Sequence, residues 1–187
     1  CSVNEKRQGE RDGCSGMQLS SLWSLAVAAA PAANRMRAVE LCAKSPQTSV
    51  LVAAERQEHA HLATHLQADA ADLLAAAKLS VELSLSLCDD DAIRHLNQRY
   101  RQIDRPTDVL SFPQDDDYYV GDVVICVDVA QRQAAERGHS VRDEVRVLLV
   151  HGLLHLLGYD HELGSDDHAE HAAAEQKLMR ALGWDGD

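Results

Sequence analysis

Every second residue of the segment 80–87 is apolar: Val81, Leu83, Leu85 and Leu87. Such alternation is typical of a strand with one buried face. Apolar runs predict three further strands, at residues 48–54, 109–112 and 122–127. The last of these runs is nearly continuous, so we expect that strand to be buried on both faces.

Apolar residues at helical spacing predict five helices around these strands. The first two cover about residues 59–77 and 89–101, and the third runs from Asp128, its expected cap, to Gly138, with Gln131 at the capping-box position. Ser140 opens the fourth helix, which is apolar nearly all round from residue 147 to 157 and must cross the middle of the domain. The order of elements predicts an α+β domain, a four-stranded sheet packed with about five helices.

The second helix carries two different stripes. Ile93, Leu96 and Tyr100 form an apolar stripe that is expected to face the core, whereas Arg94, Asn97 and Arg101 lie on another stripe. Residues 94–105 hold four arginines, including Arg99 and Arg105, against one aspartate. The charge alone fits either a solvated face with ion pairs or a surface that binds an anionic ligand.

Composition narrows the class of protein. A chain of 187 residues fits one domain with a sizeable core. Five cysteines without a C-x-x-C pair indicate a reducing compartment rather than a disulfide framework. The net charge of −12 argues against a general nucleic-acid coat protein but leaves room for a local basic groove. No apolar run approaches the roughly 20 residues of a membrane span.

Residues 1–47 differ from the rest. Their first part is polar and charged, and an Ala- and Leu-rich stretch follows, with a short apolar core at residues 22–30. We interpret this segment as an N-terminal extension without a fold of its own, although a signal or transit peptide fits the same composition. The functional domain is expected to cover residues 48–187.

Three histidines lie within eleven residues of the fourth helix and its end: His151, His155 and His161. His151 and His155 are four residues apart, so they share one helix face. Gly158 can take the left-handed turn that swings His161 back toward them. Three imidazoles predict one Zn²⁺ per chain with a fourth coordination position open, as in catalytic sites. The alternative is three histidines held by hydrogen bonds in a core helix.

Other histidines fit a metal site less well. His61 and His65 are also four residues apart, but no third ligand or turn follows them, so we expect a solvated face. His168 and His171 of the last helix are expected to be exposed rather than ligating. The inward face of that helix is expected to consist of Leu178, Met179 and Leu182.

The histidine spacing resembles the zinc-protease signature H-E-x-x-H-x-x-G-x-x-H with one difference. Position 152 is Gly, where the proteases have the Glu that acts as general base. The metal ligands are therefore retained while the peptidase base is lost. A metallopeptidase-like or other zinc hydrolase remains an alternative.

Three separated motifs together resemble the YbeY family, bacterial and organellar endoribonucleases that mature ribosomal RNA. They are the histidine run 151–161, the segment 96–113 (LNQRYRQIDRPTDVLSFP) and the segment 121–126 (GDVVIC). Their order and spacing agree with the family over roughly residues 48–185. Residues 1–47 have no counterpart.

The resemblance implies that His151, His155 and His161 bind zinc, that Arg101 is an essential arginine, and that the sheet is mixed. It also implies a cleft between the zinc and the arginine. His151 and Arg101 would then serve catalysis, and Arg94, Arg99 and Arg105 would bind the substrate. Arg101 can clamp a phosphate with its planar fork. Tyr100 or Phe112 could stack a base.

The activity implied is zinc-dependent cleavage of single-stranded RNA in 16S ribosomal RNA 3′-end maturation and ribosome assembly and quality control. The partners would be ribosomal RNA and the small ribosomal subunit or its proteins, with no membrane. The location would be cytoplasmic, or organellar or exported if residues 1–47 act as a targeting peptide. A non-enzymatic ribosome-assembly factor with structural zinc is a further alternative. The oligomeric state is left open.

Overall fold

The computed structural model describes residues 48–116, 118–159 and 165–184, without the side chains of residues 165–168. The predicted extension 1–47 and the predicted ligand His161 lie outside the described residues. Among the described helices, none is long and apolar enough to cross a membrane.

Four strands form one mixed sheet, as the resemblance implied. They are β1 (Ser49–Ala54), β2 (Glu82–Cys88), β3 (Val109–Pro113) and β4 (Tyr119–Cys126). Their order across the sheet is β1-β2-β4-β3. β1 pairs parallel with β2 and β2 parallel with β4, whereas β3 pairs antiparallel with β4 at the edge. The predicted α+β class is confirmed.

Five α-helices follow or join these strands within the described part of the chain. They are α1 (Ala60–Ala76), α2 (Asp90–Arg101), α3 (Val127–Arg137), α4 (Val141–Leu156) and α5 (Ser165–Leu182). A short 3₁₀ turn, Gln57–His59, precedes α1. Each helix corresponds to one of the five helices that the apolar spacing predicts.

The sheet separates two apolar layers. Leu83, Leu85, Val123 and Ile125 point to the layer that contains α1, α4 and α5. The alternate residues Leu110, Val124 and Cys126 point the other way, where Ile93 of α2 packs on them. The helix with the histidines and the helix with the arginines therefore cover opposite faces of the sheet.

α4 is the helix that positions the site. Its Ser140 cap accepts a hydrogen bond from the backbone N–H of Asp143 at 3.1 Å, as the sequence indicates. Its apolar side chains are almost completely buried: Val145, Leu148, Leu149, Leu153, Leu154 and Leu156. The predicted path through the middle of the domain is confirmed.

A charged cluster joins α4 to α1. Asp69 is 3% exposed and accepts hydrogen bonds from both Arg142 and Arg146, at 2.8–3.2 Å. Burial by itself raises the pKa of the Asp69 carboxyl, but the two guanidinium groups outweigh burial and hold the pKa below its usual value. The cluster fixes the N-terminal half of α4 on α1.

The prediction that Asp128 caps the third helix was wrong. Asp128 does not cap α3, because the helix begins directly at Val127 with Cys126 in the capping position. The Asp128 side chain instead accepts a hydrogen bond from the backbone N–H of Asp90, at 3.1 Å, and so supports the first turn of α2. An apolar strand that runs straight into a helix leaves no polar boundary residue for sequence patterns to detect.

The stripes of α2 are also placed differently from the prediction. Tyr100 is 57% exposed rather than part of the core, whereas Asn97 of the polar stripe is 2% exposed. The Asn97 side chain donates a hydrogen bond to the carbonyl oxygen of Arg105 at 2.8 Å. The amide thus ties the loop after α2 to the helix, which a count of apolar residues could not show.

Candidate metal centre and arginine surface

His151 and His155 lie side by side on α4, as their spacing predicts. Their Nε2 atoms are 3.1 Å apart and their ring centroids 4.7 Å apart. Both residues are half-buried. The helix then ends at Gly158, whose φ of 84° is left-handed, and the backbone N–H of Tyr159 donates to the carbonyl oxygen of Leu154 at 3.0 Å. The predicted turn is therefore present.

His171 of α5 joins this pair, and the prediction that it is exposed was wrong. The residue is 3% exposed, and its ring centroid lies 4.6 Å from that of His151 and 5.1 Å from that of His155. Each of the three residues offers a ring nitrogen within 4.8 Å of the others. The sequence holds a signal for its burial, because His171 shares a helix face with Ala174 and Leu178.

Glu175 supports two of these rings from one side. Its Oε2 lies 3.4 Å from Nδ1 of His151 and 3.7 Å from Nδ1 of His171. A carboxylate that accepts the Nδ1 proton leaves the Nε2 lone pair of the same ring available to a cation. The donor set therefore fits a transition-metal ion that prefers imidazole, Zn²⁺ among them.

A cavity of about 510 Å³ opens beside the cluster, between α4 and α5. Glu175 lines it together with Arg146, Met179 and Trp184, and the Arg146 guanidinium lies over the Trp184 ring at 4.8 Å. Glu175 therefore connects the histidine rings to a solvent-accessible space.

Gly152 packs against the sheet rather than toward the histidine cluster. A Cβ atom on it would lie 2.7 Å from Cγ1 of Val123 and 3.2 Å from Oγ of Ser111. Side chains of β3 and β4 therefore fill the volume that a side chain at residue 152 would need. A glutamate, the general base of the zinc proteases, does not fit here without displacing the strands.

The candidate arginines surround the end of α2 and the loop that follows. All four side chains, those of Arg94, Arg99, Arg101 and Arg105, belong to exposed residues. Arg94 binds the Asp104 carboxylate through Nε at 2.6 Å and Nη2 at 3.1 Å. Asp104 is thus the partner of Arg94, and its pKa is lowered chiefly by that hydrogen bond.

An aromatic pair lies within this basic surface. The rings of Tyr100 and Phe112 meet edge to face, with centroids 5.0 Å apart, and the guanidinium of Arg99 lies 5.4 Å from the Tyr100 centroid. Phe112 belongs to β3, next to Ser111, whose Oγ contacts α4. β3 therefore connects the arginine surface to the helix that carries the histidines.

A second group, Asp90, Cys126 and Asp128, also has its ligand atoms within 4.8 Å of one another. Its chemistry is that of an ion pair, since Arg132 binds both oxygens of Asp90 at 2.9 Å. Burial raises the pKa of the Cys126 thiol to about 12, so the sulfur stays protonated at neutral pH. The thiol is therefore a buried core group, as the sequence predicts.

Comparison with known proteins decides the family. The model of the family described as Endoribonuclease YbeY matches residues 47–183, about three quarters of the chain. The chain belongs to the YbeY family. An endoribonuclease role, that of a hydrolase acting on RNA, is what this membership supports.

Individual relatives agree with the family. Endoribonuclease YbeY of Aquifex aeolicus is 49% identical over 107 residues, which cover 55% of this chain and 71% of that protein. The chloroplastic endoribonuclease YBEY of Arabidopsis thaliana is 49% identical over 113 residues, 57% of this chain but only 19% of that longer protein. The solution structure of TM1509 from Thermotoga maritima matches with a TM-score of 0.50 and 24% identity, covering 74% of this chain and 96% of that one. This structural likeness concerns the fold alone.

Proposed function

We propose that this protein is a zinc-dependent endoribonuclease that cleaves single-stranded RNA. The observation that supports the proposal most directly is the convergence of His151, His155 and His171, with ring nitrogens within 4.8 Å, in a member of an endoribonuclease family. Such a cluster of imidazoles suits a divalent transition metal, and hydrolysis of a phosphodiester is a reaction that such a metal assists.

In this proposal His151, His155 and the sequence-predicted His161 hold one Zn²⁺ per chain. The ion supplies Lewis acidity toward a phosphoryl oxygen and toward water. His151 also contacts Glu175: its Nδ1 faces the Glu175 carboxylate, while its Nε2 faces Nε2 of His155. Glu175 would fix the orientation of that ring by accepting the hydrogen bond of its Nδ1–H.

Arg101 is proposed to bind the scissile phosphate. Although α2 and α4 cover opposite faces of the sheet, both contact the edge strand β3, so the proposed RNA path runs around that edge. Its guanidinium is planar and permanently charged, so it can form two parallel hydrogen bonds to phosphate oxygens and stabilise negative charge that develops in the transition state. Arg94, Arg99 and Arg105 are proposed to bind neighbouring phosphates. Arg99 lies over the exposed Tyr100 ring and Arg105 belongs to the loop that Asn97 anchors, which suits a flexible strand with unpaired bases.

The proposed physiological substrate is ribosomal RNA, with action in 16S ribosomal RNA 3′-end maturation and ribosome assembly and with the small subunit or its proteins as partners. Residues 48–187 are proposed to form the catalytic domain. The proposed location is the cytoplasm or an organelle, where the chloroplastic relative supports the second possibility.

The packing of Gly152 argues against a peptidase. In the protease signature this position carries the general base, whereas here it lies against Val123 and Ser111. The described residues therefore offer no carboxylate at the place where the protease mechanism needs one.

One experiment tests the proposal against both alternatives. The purified protein is incubated with an end-labelled single-stranded RNA, the same RNA in a duplex, and casein, each with and without a metal chelator. We expect cleavage of the single strand only, loss of cleavage with chelator and recovery on adding zinc. Cleavage of casein would favour a peptidase. Zinc binding without cleavage of either polymer would favour an assembly factor.

A further inference from the structure

We propose that His171 coordinates the same metal ion as His151 and His155. This residue lies outside the histidine run of the signature, on a different helix. The inference rests on the metal site of the proposed function and adds a fourth imidazole to it from α5, so a substrate oxygen would enter as a fifth ligand.

Distances place the His171 ring within coordinating reach. Three imidazole nitrogens around Zn²⁺ at bonds of about 2.0–2.1 Å lie about 3.4 Å apart in a tetrahedron. Nε2 of His151 and Nε2 of His155 are already 3.1 Å apart, and the ring nitrogens of all three residues lie within 4.8 Å of one another. These separations are close to the spacing that shared coordination of one ion requires.

The Glu175 carboxylate orients the rings for this task. His171 and Glu175 are one helical turn apart on α5, and Oε2 of Glu175 faces Nδ1 of both His171 and His151. A ring whose Nδ1–H points to a carboxylate presents its Nε2 lone pair on the opposite side. One carboxylate thus sets the same orientation in two rings that come from two helices.

Burial excludes a solvated role for His171. The residue is 3% exposed and shares its helix face with Ala174, 9% exposed, and Leu178, 8% exposed. Burying an imidazole in such an apolar stripe removes its hydration. This costs free energy unless its polar atoms interact with other groups. Coordination would use one ring nitrogen of His171, while the Glu175 carboxylate lies 3.7 Å from its Nδ1.

Coordination by His171 would also connect two helices through the ion. His151 and His155 come from α4 and His171 from α5, and the aromatic contacts among the three rings cross that interface. The ion would therefore join the last helix of the domain to its central helix, in addition to any role in cleavage.

The test uses the unmutated protein loaded with an NMR-active cadmium isotope and grown with labelled histidine. Scalar coupling between cadmium and a histidine ring passes only through a coordination bond, so the coupled rings are the ligands. We expect coupled ring signals from His171 in addition to those from His151, His155 and His161, the ligands of the proposed function. The ring signals are assigned in the unmutated protein through their connectivity to the backbone. The zinc affinity of the variant His171→Gln in chelator competition should fall at least about tenfold. His61→Ala, which removes an exposed histidine of α1, should retain every coupling and full affinity.

The outcomes separate this inference from the proposed function. Coupling to His151 and His155 without coupling to His171 overturns the inference and leaves the metal site in place. Absence of coupling to all three rings in the loaded protein overturns both. Because the deciding measurement needs no substitution, a folding defect in His171→Gln does not affect it.

Discussion

Oγ of Ser111 donates a hydrogen bond to the carbonyl oxygen of Gly152 at 3.1 Å, which ties the edge strand β3 to the turn of α4 that carries His151. Ser111 and Val123 are paired across β3 and β4, and Gly152 lies above this pair. The position of the histidine helix over the sheet therefore depends on the missing side chain at residue 152.

Gly152→Ala should destabilise the protein by about 1–3 kcal/mol, although alanine favours a helix by about 1 kcal/mol over glycine. The added Cβ would lie 2.7 Å from Cγ1 of Val123, so helix and sheet must separate. Denaturant unfolding measures the loss. In a Val123→Ala background the same substitution should cost less, since the clashing atom is gone. Equal costs in both backgrounds would show that crowding is not the cause.

Glu175→Gln should lower zinc affinity by about 10- to 100-fold, because the amide no longer provides a charged acceptor for the Nδ1 protons of His151 and His171. Competition with a chromophoric chelator measures the affinity. Glu170→Gln, which changes an exposed glutamate of the same helix, is the matched control and should bind zinc normally. Unchanged affinity in Glu175→Gln would remove Glu175 from the site.

Arg101→Ala should lower single-turnover RNA cleavage by about 10²–10³-fold, the effect of removing a group that stabilises transition-state charge. Because the residue is exposed, unfolding free energy should change by no more than about 0.5 kcal/mol, and zinc content should stay the same. Arg101→Lys should restore little activity, since lysine lacks the two-pronged geometry. A fully active lysine variant, or a destabilised alanine variant, would argue against the phosphate clamp.

Tyr100→Ala should weaken binding of single-stranded RNA by about 1–3 kcal/mol, the contribution of one base stacked on an aromatic ring. The 57% exposure of Tyr100 and the nearby Arg99 guanidinium support this role. Tyr100→Phe should retain the affinity, because stacking needs the ring and not the hydroxyl. Tyr118→Ala, a change at another exposed tyrosine, serves as control. Equal losses at Tyr100 and Tyr118 would contradict a specific stacking site.

Asp69→Asn should destabilise the protein at neutral pH by about 1–3 kcal/mol, because Arg142 and Arg146 lose their charged acceptor. The folded protein holds the pKa of Asp69 below the unfolded value near 3.8, so the carboxylate contributes its full stability above about pH 4. That contribution is lost as the pH falls further, through the lower folded pKa. Unfolding curves of the two proteins between pH 7 and pH 2 should therefore converge at the acid end.

The fold was largely predictable because each element has a strong local signal. The alternation along β2 and the apolar run of β4 gave the correct strands, and Gly138, Gly158 and Gly183 each take the left-handed conformation that ends a helix. These features depend on residues close in the chain, which is the range that sequence patterns report.

The site was only partly predictable, because its geometry depends on contacts across elements. The spacing of His151 and His155 identified the pair, but the burial of His171 follows from how α5 returns onto α4. The stripe pattern predicts a surface position for Asn97. The residue is buried instead, because its side chain binds the loop carbonyl of Arg105. Whether His161 completes the ligand set stays a prediction.

The junction of α4 and α5 at the histidine cluster has a consequence for local unfolding. Among the described side chains of α5, from residue 169 to 182, the buried residues beside His171 are Ala174, Leu178 and Met179, so apolar area supports the docking of this part only weakly. An ion at 100 times its dissociation constant adds about 2.7 kcal/mol to the state that binds it. If His171 ligates, metal binding raises the free energy of opening α5 by that amount. Amide hydrogen exchange along the helix would then slow upon metal loading, while exchange in β2 would change far less. The zinc supply would then set how long the last helix resists local opening and proteolysis.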